Sequence, residues 1–223
     1  MRDARKKKGM RIAAPEPPDS DPTAEAPELE TGGVVEDLWL RDADLSDASA
    51  AGLRLERVVM ERVRLAGVTL RNAVVVDARF ADCDLAGGQW DRAHLGRVEI
   101  DGCRLVGAAF PRATFSDLRM REVNGEMAMF IGAAFTAARL ERCNFRGASF
   151  QGADLRGAVF RDCDLRTADL SDAKLDGADL RGSQIAGVGM DLGRLRGLVL
   201  DPAQALDIVQ QMGITLQPLD EGE

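Results

Sequence analysis

Every fifth residue from Leu40 to Leu200 is large and apolar, with two exceptions. Of 33 such positions only Ala50 and Gly125 break the rule. An α-helix repeats its buried face every 3.6 residues and a flat strand every 2, so a beat of five belongs to neither. At 45% hydrophobic content, chance would place only about 15 large apolar residues in this register. All eight Phe obey it: Phe80, Phe110, Phe115, Phe130, Phe135, Phe145, Phe150 and Phe160.

A second register lies two residues earlier. From Leu38 to Leu198 it holds no charged residue and is mostly Ala, with Val, Cys, Leu, Gly and Ser. The other three positions of each five carry the Asp, Glu, Arg and Lys, and Gly recurs two residues after the large one. Two positions in five, one small and one large, therefore face an interior, and the rest face water. A short period sustained over this length is the mark of a solenoid, which outranks element-by-element reading.

The unit itself is visible in ADLRG at Ala153–Gly157, CDLRT at Cys163–Thr167 and ADLSD at Ala168–Asp172. This A-(D/N)-L-x-x pattern, over about residues 38–201, resembles the pentapeptide-repeat family. The resemblance implies an all-β solenoid, a right-handed quadrilateral β-helix with four pentapeptides in each coil of about 20 residues. Cysteine spacing supports that turn length independently: Cys83, Cys103, Cys143 and Cys163 are 20, 40 and 20 residues apart and would share one face. About eight coils at strand spacing would make a rod roughly 40 Å long. One coil cannot repay its ordering entropy alone, so stability has to reside between neighbouring coils. Stacking should place Phe110, Phe130 and Phe150 over one another, with Phe115 and Phe135 on the next face. On the cysteine face, Asp44, Arg64, Asp84 and Arg104 should stack one per coil, alternating in charge.

Three segments escape the beat. Residues 1–33 open MRDARKKKGMR and continue rich in Pro, Glu and Ala, a composition that cannot bury enough surface to order itself. They read as a disordered N-terminal tail. Its basic stretch offers a contact to nucleic acid or an acidic surface, though a plain solvated tail is the simpler reading. The β-helix spans 34–201, and 202–223 read as a C-terminal capping helix and tail. There Asp201 suits an N-cap and Pro202 a first helical residue. Ala205, Ile208, Val209 and Met212 form an i, i+3, i+4, i+7 stripe that should cover the open end of the solenoid. In the family such a segment can also mediate dimerisation, so a homodimer through the C-terminal end is a second use for it. The third segment is Arg121–Phe130, where Asn124-Gly125 is a turn signal. Met127, Met129 and Ile131 occupy nominally outward positions there, as Val74 and Val76 do around Val75. Such residues mark an interaction surface, unless a local bulge turns them inward.

Catalytic and metal chemistry find little foothold. The four thiols sit in the inward small slot that Ala fills elsewhere, where Cys acts as a small hydrophobe, and zinc wants four converging ligands. His94 is the only histidine and is outward-facing, so a Cys–His nucleophile pair is hard to build. No phosphate-cradling Gly loop appears, because the glycines keep the five-residue beat. No enzyme activity and no cofactor are expected. No membrane span or signal peptide is read, and unclustered cysteines fit the reducing cytoplasm.

The expected function is a non-catalytic rod-like scaffold or protein-interaction module with an unidentified protein partner. The alternative comes from the resemblance: the family's best-known members bind DNA gyrase and related topoisomerases by imitating a DNA duplex, in quinolone resistance. That mechanism needs a strongly acidic rod. The chain's net charge is −8, yet residues 38–201 hold 23 basic and 24 acidic residues, so most of the excess lies at the ends. Direct nucleic-acid binding by so balanced a rod is not expected.

Overall fold

The computed structural model describes residues 11–211 and 213–215. Strands β1 (Val34–Arg41), β2 (Arg54–Glu61), β3 (Val74–Ala81), β4 (His94–Asp101), β5 (Thr114–Arg121), β6 (Ala134–Glu141) and β7 (Val159–Arg161) form one seven-stranded sheet in chain order. Every pairing is parallel and joins residue i to i+20, from Val34↔Arg54 onward. Six steps separate β1 from β7, and single-residue bridges on the other faces carry the same register on to Asp179↔Val199. The chain is a parallel β-solenoid closed by one helix, α1 (Pro202–Gln211).

The coil turns two residues after each large side chain, where the backbone enters the left-handed region. Gly107 adopts φ 66° there, and Asp77 does so at 55°. Several corners are closed β-turns: Ala48 N–H donates to Leu45 C=O at 3.2 Å, with Asp47 at φ 58° in the third position. Gly is favoured at such sites because a Cβ strains the left-handed conformation. The recurrent glycines of the sequence mark these corners.

Inside, the large residues stack in four columns. Trp90, Phe110, Phe130 and Phe150 lie ring over ring, with centroids 5.7, 5.3 and 4.9 Å apart and planes within 18°. Phe115 and Phe135 stack at 4.7 Å on the adjoining column, as the spacing predicts. Outside, Arg64 bridges both Asp44 and Asp84 in the ladder, so the alternating charges do share a face.

Two expectations need correction. Arg121–Phe130 is no interruption: Gly125 N–H donates to Asn144 C=O at 2.7 Å, and Ala128 N–H to Gly125 C=O at 3.0 Å, all in register. Residues 11–33, expected to be a disordered tail, lie on the rod; residues 1–10 fall outside the described residues. Such a segment has no core of its own but takes cover from the rod: Leu29 packs against the rod's core, and Ile12 is only 7% exposed on its outer face. Thr23 extends the sheet at its first edge, donating to Trp39 C=O and accepting from Arg41 N–H, each at 2.8 Å.

Candidate interaction surfaces

Because the coil repeats every 20 residues, each outward position forms a column along the rod, and the four faces differ sharply. One carries Asp44, Arg64, Asp84, Arg104, Asn124, Asn144 and Asp164. Here Asp44 pairs with Arg64 at 2.6 Å and Asp84 with Arg104 at 3.0 Å, each acid to the base one coil on. The same i, i+20 pairing joins Asp37–Arg57, Asp42–Arg62, Asp77–Arg97 and Glu99–Arg119. Later coils pair within the repeat: in ADLRG the Asp154 carboxylate accepts from Arg156 N–H and its guanidinium, and Asp164–Arg166 and Asp179–Arg181 repeat this. Arginine hydrogen bonds hold these three carboxyls below the usual Asp range.

Half a coil from the Trp39 column, the face running Ser49, Thr69, Gln89, Ala109, Met129 and Ser149 is different. Residues 107–111, 127–131 and 147–151, three successive coils, place no charged residue on it. Met127, Met129 and Ile131 stand out of it at 61%, 38% and 41% exposure, so no bulge turns them inward. Met127 holds φ 58° at a corner and lies over Gly147, whose missing side chain leaves its sulfur room. Charged Arg112, Glu126 and Arg146 border the patch. Val74 and Val76 are half-buried on another face and do not join it.

The thiols do more than fill space. All four are free and buried. Cys83 Sγ reaches the carbonyls of Met60 and Ala81, and Cys83 N–H donates to Cys103 Sγ at 3.3 Å. Cys163 N–H donates likewise to Ser183 Oγ at 3.0 Å. Cys or Ser here ties backbone groups of successive coils at a corner the backbone ladder leaves open. The Cys83 thiol beside Cys103, together with burial, pushes Cys103 far up, and Cys163 does the same to Cys143. Thiolate formation at Cys103 and Cys143 is thereby disfavoured. Among the described residues no group of three or more His, Cys, Asp or Glu is placed to hold a metal. His94 lies on the surface with Nδ1 2.8 Å from Thr114 Oγ1.

At the C-terminal end α1 buries Ile208 and half-buries Val209, but Ala205 is exposed and Met212 lies outside the described residues. The residue missed by the apolar stripe is Gln204, which is buried. Its amide donates to Leu180 and Ser183 carbonyls, both at 2.6 Å, while Oε1 accepts from Asp201 N–H at 2.9 Å. Gln204 N–H in turn donates to Asp201 Oδ1 at 3.0 Å, closing a capping box that Asp-Pro-Ala-Gln spells in the sequence.

No helix among the described residues is long and apolar enough to cross a membrane. No curated protein matches the chain. Among solved structures, full-length QnrB1, a plasmid-mediated fluoroquinolone resistance protein, is 24% identical over 83% of this chain and 92% of its own, with a TM-score of 0.46. HetL, a pentapeptide repeat protein involved in heterocyst differentiation regulation from the cyanobacterium Nostoc sp. strain PCC 7120, is 21% identical over 76% and 81%, with a TM-score of 0.34. The model for pentapeptide repeats matches in 8 copies, over residues 40–74, 78–117, 112–147, 128–166 and 143–182. With the unbroken i, i+20 ladder and four stacked columns, that match makes the chain a member of the pentapeptide-repeat family.

Proposed function

We propose that the protein is a non-catalytic, rod-like protein-interaction module that docks a partner through the uncharged face centred on Met129. The supporting observation is the three-coil stretch without charge from which Met127, Met129 and Ile131 project. An exposed apolar cluster with a charged border is the usual form of a protein contact. Four buried, reduced thiols suit a cytoplasmic setting. The test is affinity capture from the native cytosol by wild type and by a Met127→Glu/Met129→Glu variant. A partner held by wild type and lost from a folded variant supports the proposal, and equal capture by both sinks it.

A topoisomerase is the finer alternative for the partner. Acidic side chains paired with arginines across the coils speak against a duplex-like negative potential. A supercoiling assay with purified gyrase decides it: neither inhibition nor protection from a quinolone at micromolar protein removes this partner. A homodimer through the C-terminal end would use Leu206 and Ile214, 52% and 48% exposed. Light scattering on Leu206→Asp reads that contact.

A further inference from the structure

One face of the rod already carries a peptide. Residues 12–18 run along the outward column Trp39, Val59, Arg79, Glu99 and Arg119, crossing the strands rather than pairing with them. Asp77 Oδ1 accepts from Glu16 N–H at 3.2 Å, and Asp117 Oδ1 from Ala13 N–H at 3.0 Å. Arg119 donates to Ile12 C=O at 2.8 Å. Pro15, Pro17 and Pro18 border a cleft with Trp39, Val58 and Val59. We propose that this face is a docking track for an extended, proline-rich peptide of a partner protein, and that residues 12–18 occupy it in cis as a built-in competitor.

Three features favour that occupant. The polar contacts go to backbone groups of the bound segment, so they would serve any extended peptide of the same spacing. A proline-bearing segment enters such a site with little entropy left to lose, and tryptophan is a natural platform for it. The third feature is that the cis segment fits incompletely. Among the described residues Trp39 Nε1 is buried without an acceptor, a costly state that a ligand carbonyl would relieve. A cleft of about 310 Å³ remains between the prolines and the rod, and another of about 440 Å³ opens beside Ile12.

The charge at the track selects further. Arg79 lines both clefts and makes no ion pair among the described residues, whereas Arg119 and Arg121 there are matched by Glu99 and Asp101. An acidic residue among the prolines, as Glu16 is in the cis segment, fits that unmatched cation. Tethering gives the cis segment an effective concentration near the millimolar range, so a ligand in trans has to be better matched or the segment released. The track lies half a coil from Met129, so it stands or falls independently of the surface proposed above.

The experiment uses the full-length chain and a fluorescent synthetic peptide of residues 11–20, RIAAPEPPDS, read by anisotropy. The released variant is Ile12→Asp/Pro15→Gly/Pro17→Gly, which leaves every inward residue of the coils in place. It should bind the peptide at least about tenfold tighter than wild type. Trp39→Ala or Arg119→Ala in the released background should weaken binding by about tenfold or more, with circular dichroism verifying the fold. No binding by the released variant, or binding indifferent to both track substitutions, overturns the docking track. Equal affinity for wild type and released chain overturns the competitor role.

Discussion

A Cβ at position 125 would lie 2.6 Å from Cε1 and 2.7 Å from Cδ1 of Phe145. The ring one coil on has taken the space that a large residue fills everywhere else in that column, so the two positions share one volume. Gly125→Ala should therefore overpack the column and cost about 1–3 kcal/mol, read as a lower midpoint in urea. Replacing Phe145 by Leu in the same chain should recover most of the loss; no recovery would show that the ring is not the obstacle. This exchange is invisible along the chain. Asn124-Gly125 reads as a turn because a sequence presents neighbours in order, whereas the compensating residue is 20 positions away. Aligning the columns before interpreting the gap would have found it. The outward placement of Met127, Met129 and Ile131 was legible, because their positions follow from the beat alone.

Elements that obey the beat and elements that end it differ in how they are specified. The coils are written redundantly: each inward slot demands an apolar side chain of set size, so the period survives two exceptions. The covering segment at residues 12–18 is held by backbone hydrogen bonds to Asp77, Asp117 and Arg119 and by proline contacts, which leave no periodic trace. Composition alone makes it look unstructured. Asp77 links this segment to pH. The Arg97 guanidinium, and then Glu16 N–H, hold its carboxyl below the ordinary 3.8. A depressed pKa contributes stability that is complete above the ordinary value and is lost as pH falls through the lower, folded-state value. Trp39 should accordingly become more accessible to acrylamide quenching below about pH 4, and Asp77→Asn should show that accessibility at neutral pH. Quenching independent of pH in a still-folded rod would contradict this. At the other end, the cap depends on a polar residue. Gln204→Ala strands the Leu180 and Ser183 carbonyls and breaks the capping box, at a cost of about 1–3 kcal/mol. Faster proteolysis after Leu200 is the expected reading, and Ala205→Ser should leave it unchanged.

Along the whole rod, each coil touches only its neighbours, so stability is a sum of local interfaces and differs with position. The middle holds the stacked rings of Trp90 through Phe150, with inward side chains almost wholly buried. The last coil is looser: Met190, Leu195, Leu198 and Leu200 are only partly buried against the core. The same kind of truncation should therefore act differently at the two places. Phe130→Ala removes a ring that contacts Phe110 at 5.3 Å and Phe150 at 4.9 Å. Neither neighbour can move in without abandoning its own column, so a cavity persists and the cost should reach about 3–5 kcal/mol. Leu200→Ala lies at a half-exposed end that can relax, and should cost less than the roughly 2–5 kcal/mol of a fully buried leucine. Hydrogen exchange separates the two outcomes. Phe130→Ala should raise exchange in the coils on both sides of the lesion, whereas Leu200→Ala should confine it to residues after about 180. Equal and global loss of protection in both variants would mean that the rod opens as one cooperative unit, and the nearest-neighbour account would fail.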